Sequence, residues 1–379
     1  MSKFSKTLSP LFILALITME AAGSQIQLDV SMSNPTLLAE KKQSTHLKVG
    51  LTGFELKSDR QRTPVNVSIV LDRSGSMAGE KIARAKQAAI AAIERLDEKD
   101  IVSLIAYQST VEVIVPATRL SDKQAVISKI RSITAGGSTA LFAGVSKGSD
   151  EIRKFIDKNR VNRIILLSDG LANVGPQSPS ELGALGASLV KEGISVSTMG
   201  LGLDYNEDLM TLLASKSNCK HLFIEKAADL VALFNHEFDD VLSVVAQEVV
   251  IEVNVAAGVR PVKTLNIDSE ITGQQVLVKM NQLYSKQEKY VLLELEVPAS
   301  KAGQTRPVAE VTISYANMET KTTDKLSSTV SVNFSDSVAE IENNANTVVC
   351  TACVLQIASE RNKLATQLRD EGDINGARQ

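Results

Sequence analysis

Tryptophan is absent from this 379-residue chain, and aromatic residues make up only 4% of it. So thin an aromatic complement argues against stacking platforms for bases or sugars. There is no basic surplus either. The formal net charge is −3, so nothing points to a nucleic-acid partner. Cysteine is scarce: Cys219, Cys350 and Cys353 cannot all pair, which excludes a disulfide framework. Cys350 and Cys353 form a C-x-x-C on a helical pattern, but no second Cys or His pair lies nearby. A zinc site needs about four ligands, so the two read as small core residues, with a redox or local disulfide role as the alternative. Past the N-terminus, no run approaches the ~18 apolar residues of a membrane span. The three histidines, His46, His221 and His236, accompany no G-x-S-x-G elbow. A G-x-x-x-x-G-K-[ST] phosphate loop is also missing. These gaps leave no supported catalytic residue.

What is present is ample core. Apolar residues make up 44% of the chain and charged residues 22%, and the length suits two domains. Residues 1–24 read as a secretory signal: basic Lys3 and Lys6, an apolar centre over 11–19, and the small-residue exit Ala21-Ala22-Gly23-Ser24. That reading places the mature protein outside the cytoplasm, secreted or in the periplasm or cell envelope.

From 63 to 245, apolar strands alternate with amphipathic helices. Strands are expected at 67–71, 102–107, 111–115, 163–168, 195–199 and 221–224. Helices are expected at 80–96, 122–133, 141–156, 180–192, 207–217 and 228–244. The link between 107 and 111 is short enough only for a hairpin. The other crossovers pass through helices and make their strands parallel. The pattern predicts an α/β fold, a doubly wound, mostly parallel six-stranded sheet. After 246 the period becomes two, as in Val249, Ile251, Val253 and Val255. Five such strands with no helix between them predict an antiparallel β-sandwich. Leu28, Val30 and Met32, and Leu47, Val49 and Leu51, share this style. Residues 25–62 and 246–335 are therefore expected to form one β domain with the α/β domain inserted in it, a separate N-terminal ribbon being the alternative. Residues 336–379 read as helical: one helix from 338 to 356 and on to 368, then the start of another.

Ligands of open α/β sheets bind beyond the carboxyl ends of the strands. Three segments fall there: Asp72-Arg73-Ser74-Gly75-Ser76, Gly136-Gly137-Ser138-Thr139-Ala140-Leu141 and Ser168-Asp169-Gly170. Two carboxylates and three hydroxyls, with no imidazole or thiolate, favour Mg²⁺, with Mn²⁺ or Ca²⁺ behind it. The chain resembles von Willebrand factor A (vWA) domain proteins over about 63–245. Asp72, Ser74 and Ser76 match the D-x-S-x-S motif, Thr139 the single Thr and Asp169 the distal Asp of the metal-ion-dependent adhesion site (MIDAS). The resemblance implies that Ser74, Ser76 and Thr139 bind the ion directly and that Asp72 and Asp169 do so directly or through water. It also implies possible movement of the helix at 228–244. Asp204, Asn206 and Asp208 imitate a calcium loop that fails, since Leu209 stands where Gly is required and Ser215 where Glu is required. Asn206 or Asp204 is read instead as a helix cap. Arg73 either attracts an acidic partner or is solvated, and Leu171 to Val174 either line a binding surface or pack a turn.

The function expected is non-enzymatic adhesion of a bacterial, extracytoplasmic kind. A bound Mg²⁺ would take a carboxylate from a partner protein, and the β domain would position that head. The alternative is a structural or assembly factor of the cell envelope, in which the metal mainly stabilises the fold.

Overall fold

The computed structural model describes residues 25–56, 62–203, 205–370 and 372–378. The signal reading of residues 1–24 and the cap reading of Asp204 lie outside them. Three strands come first: β1 (Gln27–Met32), β2 (Thr36–Leu38) and β3 (Gln43–Thr52). β1 and β3 pair antiparallel, and Leu47, Val49 and Leu51 of β3 turn fully inward.

The α/β unit follows. It runs through β4 (Val65–Asp72), α1 (Glu80–Arg95), β5 (Ile101–Tyr107), β6 (Val111–Arg119), α2 (Lys123–Arg131) and α3 (Leu141–Arg153). It continues with β7 (Val161–Ser168), α4 (Pro179–Lys191), β8 (Ile194–Leu201), α5 (Glu207–Lys216), β9 (His221–Ile224) and α6 (Leu230–Leu242). The strand order is β6-β5-β4-β7-β8-β9, with β6 alone antiparallel. Every residue of β4, β5, β7 and β8 is buried, because helices cover both faces of the sheet. The chain leaves β4 toward β5 on one side and returns to β7 on the other. The carboxyl end of β4 is therefore the topological switch point.

Seven strands complete the described β region: β10 (Val244–Val255), β11 (Arg260–Thr264), β12 (Ser269–Thr272), β13 (Gln275–Tyr284), β14 (Glu288–Val297), β15 (Thr305–Asn317) and β16 (Thr323–Ser335). Two sheets stack over one core, in the orders β1-β3-β14-β11 and β12-β13-β10-β15-β16-β2. Two expectations need correction. Seven strands stand where five were expected, and the sandwich is not wholly antiparallel, since β2 runs parallel to β16. The strands missed, β2, β11 and β12, all lie on sheet edges. An edge strand is short and partly solvated, so its alternation is weak.

The C-terminal segment also differs from one continuous helix over 338–356. α7 (Val338–Asn343) stops, α8 (Thr347–Asp370) restarts, and α9 (Ile374–Arg378) follows. Asparagines make the break. Asn344 Nδ2 donates to Thr36 Oγ1 at 3.0 Å, Asn346 N donates to Ser33 O at 2.9 Å, and Asn346 Oδ1 accepts from Val349 N at 3.2 Å. α8 rests on the sandwich through Val349, Ala352 and Cys353 against Leu265 and Leu292, which puts Cys353 in a small core. The three cysteines are free thiols. Among the described residues, no helix is long and apolar enough to cross a membrane.

α6 passes into β10 through Ser243 alone, so the helix expected to reach 244 ends at Leu242. The two units meet at a buried ionic cluster below the parallel sheet. The wholly buried guanidinium of Arg163 (β7) donates to Ser197 Oγ at 2.7 Å and Glu237 Oε1 (α6) at 3.0 Å. It also donates to Gln282 Oε1 at 2.5 Å and Tyr284 Oη at 3.2 Å, both on β13.

Candidate metal centre

β4 delivers Asp72 at the switch point, and the chain then turns sharply. Gly79, at φ 80°, occupies the left-handed region that favours glycine and opens α1. Main-chain bonds tie this turn to the glycine-rich loop before α3: Gly75 N donates to Gly137 O at 2.9 Å and Gly136 N to Arg73 O at 2.7 Å. The third loop is held by Asn173, whose Oδ1 accepts from Thr139 N at 2.7 Å and whose N–H donates to Thr139 O at 3.1 Å. Three loops distant in sequence are thus tied together, the first two by main-chain bonds and the third through both the main chain and the side chain of Asn173.

The five side chains singled out from the sequence come together here. Ser74 Oγ and Ser76 Oγ are 3.0 Å apart, and Ser76 Oγ donates to Asp169 Oδ1 at 2.7 Å. A Cβ added at Gly170 would lie 3.1 Å from Thr139 Oγ1 and 3.4 Å from Ser76 Oγ, so the two hydroxyls face the same space. Asp72, Ser74, Thr139 and Asp169 are buried, whereas Ser76 is exposed and opens one side to water.

Four more residues act here that sequence reasoning did not select. Ser168 Oγ donates to Asp72 Oδ2 at 2.5 Å, and Tyr107 Oη donates to the same oxygen at 3.4 Å. Asn173 fixes the Thr139 loop, and the Lys81 ammonium hydrogen-bonds Asp169 Oδ2. Ser168 and Asn173 lay inside segments already noted. Tyr107 and Lys81 gave no local signal. Arg73 is tied to Glu112 at 3.0 Å, and Asn206 caps α5 by accepting from Leu209 N at 3.0 Å. Leu171 and Leu203 project from neighbouring loops as exposed apolar residues.

Burial raises the pKa of Asp72 above the usual carboxylate value. Hydrogen bonds from Ser168 and Ser74 oppose that rise, and the nearby charge of Asp169 adds to it. Burial also pushes the Tyr107 phenol well above its usual 10, so it stays a neutral donor toward Asp72. Among the described residues no three His, Cys, Asp or Glu side chains cluster. The set has two carboxylates, with serine and threonine hydroxyls as the remaining donors. Such an all-oxygen set fits a hard divalent cation, and two buried carboxylates bring the negative charge one requires.

Comparison with known proteins bears on the family and fold of the α/β unit. Residues 66–236 match the von Willebrand factor type A domain. The chain is 28% identical over 315 residues to an uncharacterized protein of Synechocystis, covering 80% of this chain and 74% of the relative. It is 25% identical over 264 residues to a protein of Arabidopsis thaliana named E3 ubiquitin-protein ligase WAV3, spanning 66% of this chain but 33% of that protein. A solved structure, the von Willebrand factor type A protein of Catenulispora acidiphila, superposes with a TM-score of 0.75 at 15% identity, covering 94% of this chain and 85% of that one. The α/β unit is a vWA domain with its Rossmann-like, mostly parallel sheet, joined to a β-sheet domain and C-terminal helices.

Proposed function

We propose that this protein is a non-enzymatic, extracytoplasmic binding module of the MIDAS type. The observation that carries the reading is the convergence of Asp72, Ser74, Ser76, Thr139 and Asp169 at the switch point, with one side open to water. Mg²⁺, or Mn²⁺ or Ca²⁺ in its place, would offer an electrophilic position to a carboxylate on a partner protein. The chain's own residues do the rest. Asp72 is oriented by Ser74 N, Ser168 and Tyr107, and Asp169 by Ser76. The exposed Leu171 and Leu203 give the rim apolar contact area. Ligase chemistry does not follow from the plant relative, because the aligned part spans a third of it.

A second reading, a structural or assembly factor of the cell envelope, is favoured by the depth of Asp72. This fully buried carboxylate holds groups from the β4 turn, β5 and β7, so a metal there would also brace the fold. Isothermal titration of the full chain with MgCl₂ and MnCl₂, for wild type and Asp72→Asn, tests both. Both readings expect the variant to lose divalent binding. Adhesion further expects a metal-free melting temperature near wild type and loss of Mg²⁺-dependent partner capture. The structural reading expects Mg²⁺ to raise the wild-type melting temperature strongly and capture to be indifferent to EDTA. Equal metal binding by wild type and Asp72→Asn would rule out the site itself.

A further inference from the structure

Lys81 puts a cation belonging to the chain on the candidate centre. It is the second residue of α1, and its ammonium reaches Asp169 Oδ2 while Oδ1 accepts from Ser76. Its tip also lies against Gly202 beyond β8, 3.7 Å from where a Cβ there would stand. The Asp169 carboxylate is fully buried, whereas the Lys81 side chain is 30% exposed. A buried carboxylate without a counter-charge is strongly disfavoured. The pair with Lys81 is the one ion pair that Asp169 makes among the described residues. Arg73, the other cation beside the motif, is turned to Glu112 instead. The Lys81 side chain is partly exposed on the first turn of α1, so swinging it outward needs no unfolding of that helix.

A divalent ion drawing on Asp169 would meet this positive charge at close range. Like charges a few ångströms apart in a partly buried site repel strongly. The same ammonium also withdraws electron density from the carboxylate that must hold the metal.

We propose that Lys81 is a tethered counter-ion of Asp169 that competes with the divalent cation and thereby sets the affinity of the centre. This rests on the metal-binding reading above. Lys81 stabilises the loops when no metal is bound and lowers the affinity for metal. None of the five motif positions has this role. Exchange of Lys81 for the metal makes the centre responsive to divalent-ion concentration.

Lys81→Met keeps the aliphatic stem and removes the charge, and Lys81→Arg keeps the charge. Titration of the full-length chain with MnCl₂ and MgCl₂ is the test, with melting temperatures taken in EDTA and in MgCl₂. Lys81→Met is expected to bind either ion roughly tenfold tighter than wild type, equivalent to about 1.4 kcal/mol. It should melt below wild type in EDTA and close that gap in MgCl₂. Lys81→Arg should bind like wild type. Met-variant affinity equal to or weaker than wild type, with wild type binding, overturns the counter-ion role alone. Absence of divalent binding in every form overturns both it and the metal-binding reading.

Discussion

Asp72 carries opposing demands at the scale of the single residue. Burial disfavours its charge, yet the proposed hard-cation site needs that charge. Hydrogen bonds from Ser74 N at 2.7 Å and Ser168 Oγ at 2.5 Å reconcile the two. Ser168→Ala removes one of these donors without touching any of the five motif positions. It is expected to destabilise the metal-free fold by about 1–2 kcal/mol and to weaken Mg²⁺ binding several-fold. Urea unfolding and calorimetric titration read the two effects. An unchanged profile in both would mean that Ser168 only fills space. The Asp72 motif could be read from sequence because its residues lie within five positions. Tyr107 and Lys81 could not, because their relation to Asp72 and Asp169 exists only after strands and helix have packed.

At the scale of the element, α3 holds the Thr139 loop against the sheet, and two glycines let it approach. A Cβ at Gly144 would lie 2.7 Å from Tyr107 Cδ1, and one at Gly148 would lie 2.8 Å from Val70 Cγ2. Alanine at 144 improves helix propensity by up to about 1 kcal/mol, but the overpacking costs about 1–3 kcal/mol. Gly144→Ala is therefore expected to lose about 1–2 kcal/mol, because Tyr107 is fully buried and has nowhere to retreat. Since Tyr107 also faces Asp72, divalent affinity should fall along with it. A thermal unfolding curve at or above wild type would show that α3 shifts outward at no cost. Helix periodicity gave α1 to α5 within a few residues, while strands β2, β11 and β12 escaped because their edge positions leave little apolar alternation.

At the scale of the whole molecule, the junction below the sheet is as polar as the site above it. Lys289 of β14 donates to Gln282 O at 2.8 Å and stands 4.6 Å from the centre of the Tyr284 ring. Burial lowers its pKa from the usual 10.5 to about 8. Between those values the unfolded chain holds a proton that the folded chain has released, so stability rises with pH across the window. Wild type is expected to gain on the order of 1–3 kcal/mol relative to Lys289→Met from pH 8 to 10.5. Denaturant unfolding at several pH values measures it, and a constant difference would contradict the assigned burial. The Arg163 cluster beside it joins β7, α6 and β13, so α6 is tied to both units.

Local order in the chain determined the alternation of strand and helix, the parallel sense of the crossovers and the Asp72-Arg73-Ser74-Gly75-Ser76 turn at a strand end, because each depends on spacing between near neighbours. Tertiary structure decided what depends on distant segments meeting. β3 pairs with β14 across some 240 positions, β2 lies parallel to β16, and Arg163 meets Gln282 and Tyr284 of the β domain. The same holds at the centre, where Lys81 reaches Asp169 from 88 residues away. Local periodicity records which face of an element is apolar, but not which distant charge will settle opposite a buried carboxylate.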